Sequence, residues 1–117
     1  MTNHTKKYKY VDYLWDDGKA ASFGDDQVGL FLYRSNILGA DLRITNYGGG
    51  NTSCKTIGKD PLTNEAGEVM WIKGSGGDIG TLTKAGIAGL YTERLRSLKS
   101  VYGGLADEDR MVGLFNH

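Results

Sequence analysis

The sequence predicts a mixed α/β fold in which short β-hairpins are combined with helices, and three observations support this. Apolar residues recur at three- and four-residue spacing in two segments, from about Asp25 to Asp41 and from about Thr83 to Tyr102. Short β-like segments lie between those two. The 117 residues include 18 glycines and one proline, and seven of the glycines fall in two clusters, at 48–50 and 74–80. With 39% hydrophobic residues the chain can fold, so the clustered glycines are expected to form defined turns.

The first helix is predicted from about Asp25 to Asp41. Asp25 or Asp26 can cap its N-terminus, because a carboxylate there accepts hydrogen bonds from free amides of the first turn. Gly39 allows the chain to leave the helix. The residues at helical spacing form a stripe that is predicted to be buried: Val28, Phe31, Leu32, Ser35, Leu38 and Leu42.

Three strands are predicted next. Leu42–Tyr47 and Thr52–Ile57 are expected to pair with each other across the turn GGGN. Residues 58–67 contain the only proline and many turn formers, which indicates a hairpin connection or a surface loop. Val69–Lys73 is the most apolar strand candidate.

The C-terminal part is predicted to be helical. The segment from about Thr83 to Tyr102 carries an apolar face, and Gly103 with Gly104 ends it. A last short helix begins at the acidic residues 107–109 and carries apolar residues up to Phe115. We interpret the acidic residues as a helix cap that complements the helix dipole, rather than as a metal site.

Composition and charge exclude several classes of protein. Fourteen basic residues balance fourteen acidic ones, unlike the strongly basic surface of a nucleic-acid-binding protein. The basic cluster Lys6, Lys7 and Lys9 is interpreted as a solvated arm, because Asp12 and nearby acidic residues cancel its field.

The apolar runs and the cysteine count indicate where in the cell the protein is located. No apolar run is long enough for a signal peptide or a membrane span, and the single cysteine, Cys54, can form no internal disulfide. We therefore expect a soluble cytoplasmic protein that binds neither nucleic acid nor membranes.

The two glycine clusters are candidate anion sites. In GGGNTS (48–53), bare backbone amides stand beside Asn51 and Ser53, whose side chains can donate to phosphate oxygens. In KGSGGD (73–78), an anion would meet backbone amides, the Ser75 hydroxyl and the Lys73 charge. The alternative for each cluster is an ordinary turn that needs unusual dihedral angles.

Two nucleotide-binding patterns can be compared with these clusters. The pattern GxxxxGK[ST] is absent. The dinucleotide pattern GxGxxG is nearly met by Gly74, Gly76 and Gly80, but the last glycine is one residue late. The segment after Tyr102 also begins another helix where a Rossmann unit needs a second strand, so dinucleotide binding is a minor alternative.

The two motifs and their flanks resemble the N-terminal half of a class II aldolase/adducin domain. The resemblance is strongest to bifunctional rhamnulose-1-phosphate aldolase/short-chain alcohol dehydrogenase proteins, through YRSNILGADLRITNYGGGNTS (33–53), VMWIKGSGGDIGTL (69–82) and ERLRSLKSVYGGL (93–105). It covers residues 25–117 and leaves residues 1–24 as an N-terminal arm. It implies an α/β/α sandwich around a mainly antiparallel sheet.

The resemblance also implies a function. Family aldolases cleave a ketose 1-phosphate with a divalent metal, commonly zinc, and for rhamnulose 1-phosphate the products are dihydroxyacetone phosphate and lactaldehyde. Family members are often homo-oligomers, and the partner would be a small phosphorylated sugar. The family's two phosphate-binding loops match Asn51 and Ser53 in the first cluster, and Gly74, Ser75 and Gly76 in the second.

One departure from the family pattern limits this expectation. Family aldolases hold their metal with a His-x-His pair and a third histidine, and use a nearby acidic residue for proton transfer. The only histidines here are His4 and His117, so we assign no catalytic or metal-binding role to them or to Cys54.

The chain is therefore expected to be the front half of a longer domain, inactive alone, with zinc ligands elsewhere and NAD bound only by a further dehydrogenase domain. The alternative is a non-catalytic, adducin-like binding or scaffold module.

Overall fold

The computed structural model describes residues 7–114. Its helices and strands, in chain order, are α1 (Asp17–Ser22), α2 (Gln27–Ala40), β1 (Ser53–Lys59), β2 (Ala66–Lys73), β3 (Ile87–Tyr91) and α3 (Thr92–Ser97). The strands form one antiparallel sheet in the order β1-β2-β3. Short 3-10 helices lie at Ile79–Thr81, Lys84–Gly86, Leu98–Ser100 and Leu105–Leu114. The mixed α/β class with an antiparallel sheet is confirmed.

Helix α2 begins and ends close to the predicted residues. Asp26 is its N-cap and accepts a hydrogen bond from the Gly29 amide at 2.9 Å. The predicted buried stripe is only partly right, because Leu38 is 44% exposed. The buried residues of α2 are Phe31, Tyr33, Ser35 and Gly39.

The predicted strand at Leu42–Tyr47 is wrong. This segment is a series of turns, because its amides bond back to the end of α2 instead of to a neighbouring strand. Ile44 N and Thr45 N donate to Asp41 O at 3.0 and 3.2 Å, and Arg43 N donates to the Asp41 carboxylate at 3.0 Å. Side chains that offer such local acceptors compete with strand pairing.

Strand β1 pairs with β2, not with residues 42–47. Lys73 N donates to Thr52 O at 3.1 Å at one end of this hairpin, and Asp60 N donates to Glu65 O at 2.9 Å at the other. The predicted strands Thr52–Ile57 and Val69–Lys73 therefore both exist, and the predicted proline-containing connection is confirmed.

The long helix predicted from Thr83 to Tyr102 is wrong over its first half. Residues 87–91 form β3 at the edge of the sheet beside β2, and α3 begins only at Thr92. Gly86 and Gly89 both weaken a helix, whereas pairing with β2 supplies partners that local spacing cannot reveal. The ending at Gly103 and Gly104 fits the structure, where Gly104 has φ +92°.

The last predicted helix is a 3-10 helix at Leu105–Leu114, with a break from helical geometry at Asp107. Asp107 forms an ion pair with Arg110 at 3.2 Å. Within residues 7–114, no three His, Cys, Asp or Glu side chains lie together as a metal site would need. His4, Lys6, Phe115 and His117 lie outside the described residues.

The chain divides into two compact units. Of the described residues, the first contains 7–54 together with Ile72–Ala88, and both glycine clusters belong to it. Its core includes Phe31, Tyr33, Ile79 and Leu82, and it contains α1, which the sequence analysis did not predict within the N-terminal arm. Asp16 caps α1 through the Lys19 amide at 2.9 Å.

Of the described residues, the second unit contains Lys55–Trp71 and 89–114. Trp71 donates from its indole to Thr56 Oγ1 at 2.9 Å, and Arg94 forms an ion pair with Asp60 at 2.9 Å. Met111 is its buried apolar residue. Across residues 7–114, no helix has the length and apolar character needed to span a bilayer.

Candidate functional site

The two glycine clusters lie side by side in the first unit. We call residues 48–53 the first glycine loop and residues 73–78 the second glycine loop. Ile79 N donates to Gly49 O at 3.2 Å, and Gly48 N donates to the Asp78 carboxylate at 3.2 Å. Because Thr52 and Lys73 are hydrogen-bonded, Asn51 and Gly74 are the next residues at the same end of the hairpin. The structure therefore brings together the two loops that the sequence analysis selected.

Gly50 and Gly76 both have a positive φ, but their surroundings differ. Gly50 has φ +97°, which side chains rarely tolerate, and a Cβ there would lie 2.9 Å from Ile79 Cγ2. Gly76 has φ +91° but faces open space. The first loop is thus held closely against Ile79, whereas the tip of the second loop is bare backbone facing solvent.

The predicted side-chain donors are all accessible. Asn51, Ser53 and Ser75 are exposed, and their side chains form no hydrogen bonds with residues 7–114. An amide and two hydroxyls are therefore free to bind a ligand at this end of the hairpin.

Only some backbone amides of the second glycine loop are free to donate to a ligand. Gly74 N is already engaged with Gly86 O at 2.8 Å, so Gly74 offers space and no free N–H. By contrast, the successive amides of Ser75 and Gly76 have no acceptor within the described part of the chain. Successive unpaired amides at a glycine-rich turn are an anion-binding arrangement.

Lys73 supplies a positive charge at the start of the second glycine loop. Its side chain is buried, with the residue 9% exposed, and Nζ donates to Gly74 O at 3.0 Å. Among residues 7–114 no carboxylate forms an ion pair with it. An ammonium group has three donors, so two remain without an acceptor among residues 7–114.

Sequence reasoning missed three consecutive residues of α2 that contact the first glycine loop or the segment after the second. Arg34 Nη2 donates to Ser53 O at 2.9 Å, Ser35 Oγ is bonded to Thr52 Oγ1 at 2.9 Å, and Asn36 Nδ2 donates to Ile79 O at 3.1 Å. The available signal was a polar run, RSN, inside a helix with apolar neighbours. Ser35 was instead assigned to a buried stripe, and it is fully buried.

A pocket of about 410 Å³ opens beside the second glycine loop. Its polar side is formed by Gly74, Ser75 and Gly77, and apolar side chains including Leu82 and Ile87 form the rest. The pocket can take a small organic group next to the free amides of the loop.

An ion pair stabilises the turn that leads into the first glycine loop. Arg43 donates to both oxygens of Asp41, each at 2.8 Å, and to Asp12 Oδ2 at 2.8 Å. These hydrogen bonds from Arg43 lower the pKa of Asp41 from 3.8 to about 2, and raise that of Arg43. The hydrogen bonds of Arg43 join Asp41 at the end of α2 to Asp12, so this ion pair has a structural role beside the site.

The described residues do not fit a metal centre. No cluster of three candidate ligands occurs within residues 7–114, and Cys54 is half-buried with its pKa raised by that burial. We therefore derive no chemical step through a metal ion.

The fold is similar to that of a class II aldolase domain. A solved structure of the N-terminal class II aldolase domain of a conserved protein from Thermoplasma acidophilum superposes with a TM-score of 0.61. The two chains are 26% identical, and the match covers 78% of this chain and 41% of the other. The chain therefore has a class II aldolase-like fold.

A curated relative is longer still. The chain is 38% identical over 107 residues to the uncharacterized oxidoreductase YuxG of Bacillus subtilis. That match covers 92% of this chain and 15% of the relative. No family model matches the chain.

Proposed function

We propose that the two glycine loops bind the phosphate group of a small phosphorylated sugar, as part of a class II aldolase-like protein. The donors would be the side chains of Asn51, Ser53 and Ser75 together with the free amides of Ser75 and Gly76. Gly74 would keep the backbone accessible. The observation that carries the proposal is the buried Lys73 ammonium, which has a carbonyl partner but no carboxylate among residues 7–114.

Burial of a charge without a counter-ion is costly, so an anion is the partner that fits Lys73. The single carbonyl at 3.0 Å satisfies one donor and does not neutralise the charge. A phosphate at the second loop would neutralise it and accept from the neighbouring amides. Arg34, whose guanidinium lies at Ser53 O, adds a second positive charge next to the first loop.

The sugar part of the ligand is less closely defined. The pocket beside the second loop has room for a short carbon chain beyond the phosphate. From the class II aldolase fold and the resemblance of the loops, we propose rhamnulose 1-phosphate as the substrate of the longer protein, with zinc as its metal. The oxidoreductase relative is consistent with a dehydrogenase part that would bind NAD. Dihydroxyacetone phosphate and lactaldehyde would be the aldolase products.

A non-catalytic, adducin-like binding module is the second candidate. The lack of a metal-ligand cluster within residues 7–114 favours it, because binding a phosphorylated partner needs the loops and no metal. Turnover of rhamnulose 1-phosphate by a zinc-loaded longer protein would decide for the aldolase; binding without turnover would decide for the module.

The binding site itself can be tested on this chain with inorganic phosphate. In a ¹⁵N NMR titration we expect the amides of Ser75 and Gly76 to shift most. Lys73→Met should weaken binding by about tenfold to 100-fold, the range for a lost charge-assisted hydrogen bond. It should not lower stability, since methionine fills the buried space without an unpaired charge.

The matched control is Lys84→Met, which removes an exposed lysine of the same unit. It should bind phosphate as the unsubstituted chain does. Equal weakening by both substitutions would show that net charge, not the position of Lys73, determines binding, and the proposal would then be wrong.

A further inference from the structure

We infer that Ser35 and Asn36, consecutive residues of α2, are positioning residues of the anion site, each holding one glycine loop. The inference rests on the function proposed above. Neither residue belongs to a glycine loop: Ser35 contacts Thr52 of the first loop, and Asn36 contacts the segment that directly follows the second loop. Together they would determine the separation of the two loops, and thus whether one phosphate can reach donors on both.

Ser35 holds the first glycine loop through Thr52. It is fully buried, and its hydroxyl donates to Phe31 O at 2.8 Å. A hydroxyl has one hydrogen, so in the 2.9 Å contact between the two hydroxyls Thr52 is the donor. Thr52 stands between Asn51 and Ser53, the two predicted ligand-binding residues of this loop. Movement of Thr52 would therefore move both of their side chains.

Asn36 holds the segment that follows the second glycine loop. Its amide nitrogen donates one hydrogen to Ile79 O at 3.1 Å and the other to Leu82 O at 3.0 Å. Both of its donors are thus used, and the acceptors belong to the first residue of the 3-10 helix at Ile79–Thr81 and to its C-cap, Leu82. Ile79 N in turn donates to Gly49 O, so Asn36 acts on both loops through Ile79.

The two residues stabilise different loops from one rigid element. Helix α2 has 14 residues, and its buried side chains pack in the core of the first unit. Binding groups carried by loops lose affinity when the loops move, because binding must then order them. The α2 contacts reduce that cost before a ligand arrives.

The inference has a test that needs no ligand. Ser35→Ala should increase hydrogen exchange at the amides of residues 50–53, and Asn36→Ala should do so at residues 79–82. Ser22→Ala is the control: it also removes a serine-to-carbonyl hydrogen bond, but an exposed one in α1. If neither α2 variant changes exchange in its loop beyond the control, the inference is wrong.

Phosphate binding provides the second readout. We expect Ser35→Ala and Asn36→Ala each to weaken inorganic phosphate binding by about tenfold, while neither removes a group that touches the anion. Thr52→Val removes the same hydrogen bond from the loop side, so it replaces Ser35→Ala if that variant does not fold. In the double variant Ser35→Ala/Thr52→Val, the losses in affinity should not add, because one hydrogen bond is removed twice.

The outcomes separate the two proposals. If the unsubstituted chain binds phosphate and the α2 variants bind it equally well, the positioning roles are wrong and the anion site stands. If the unsubstituted chain does not bind phosphate, the anion site is wrong, and the positioning roles that rest on it fail with it. If the α2 variants lose phosphate binding while the midpoints of their unfolding are unchanged, the result supports both proposals.

Discussion

Substitution of Gly39 by alanine tests the closest approach in the first unit. Gly39 is buried in the last part of α2, opposite Gly80 in the 3-10 helix that follows the second glycine loop. A Cβ at Gly39 would lie 2.5 Å from Gly80 Cα and closer still to Gly80 N. Ordinary contact begins near 3.4 Å, so the Gly80 backbone would have to move by at least roughly 0.9 Å.

Two effects of this substitution oppose each other, and their sizes decide the outcome. Alanine stabilises a helix interior by about 1 kcal/mol relative to glycine. Overpacking costs about 1–3 kcal/mol, and the upper end applies here because the contacted atoms are backbone. We therefore expect Gly39→Ala to lower the free energy of unfolding by about 2 kcal/mol.

Urea unfolding followed by circular dichroism measures this change. Gly77→Ala is the control for stability, since a Cβ there meets nothing within 4 Å and its φ is not left-handed. It should change stability by less than about 0.5 kcal/mol. If Gly39→Ala is as stable as the unsubstituted chain or more stable, helix propensity dominates and the close approach of α2 to Gly80 is refuted.

Three further predictions concern the ion pair, the second unit and the metal. Asp41 has a lowered pKa in the folded chain, so its contribution to stability is fully present above about pH 4 and is lost as the pH falls towards 2. In Asp41→Asn the free energy of unfolding should therefore depend less on pH in that window. An unchanged pH profile would contradict the ion pair with Arg43. Thr56→Val removes the acceptor of the Trp71 indole and should lower the free energy of unfolding in urea by about 1 kcal/mol. It should also shift the tryptophan emission, whereas the control Thr63→Val, at an exposed threonine, should not. We also expect the chain to retain no stoichiometric zinc after dialysis, by elemental analysis, and one zinc per chain would contradict the interpretation of its donor set.

Local sequence signals predicted some elements well. The Asp26 cap and the apolar spacing placed α2 within a few residues, because a capping side chain and a helical face depend on neighbours in the chain. The proline-containing turn likewise placed the β1–β2 connection. The glycine-rich runs located both loops, since bare backbone and positive φ require glycine wherever they occur.

Other elements depended on distant partners. Residues 42–47 have a strand-like composition, but β1 pairs with the distant strand β2 and the amides of residues 43–45 bond to Asp41, so no strand forms. Residues 87–91 fit a helical spacing equally well, and only the free edge of β2 makes them a strand. A spacing pattern shows which residues share a face, but it does not show which other element packs against that face.

The candidate site shows the same division. The sequence by itself determined the class of fold, the two glycine loops and the polar residues Asn51, Ser53 and Ser75 within them. Only the tertiary structure placed the loops side by side, engaged the Gly74 amide and buried Lys73 without a carboxylate partner among residues 7–114. It also gave Ser35 and Asn36 their contacts, which join residues 17 and more than 40 positions apart. Hydrogen bonds of that range depend on how the elements pack, and packing is a property of the whole fold that no local pattern encodes.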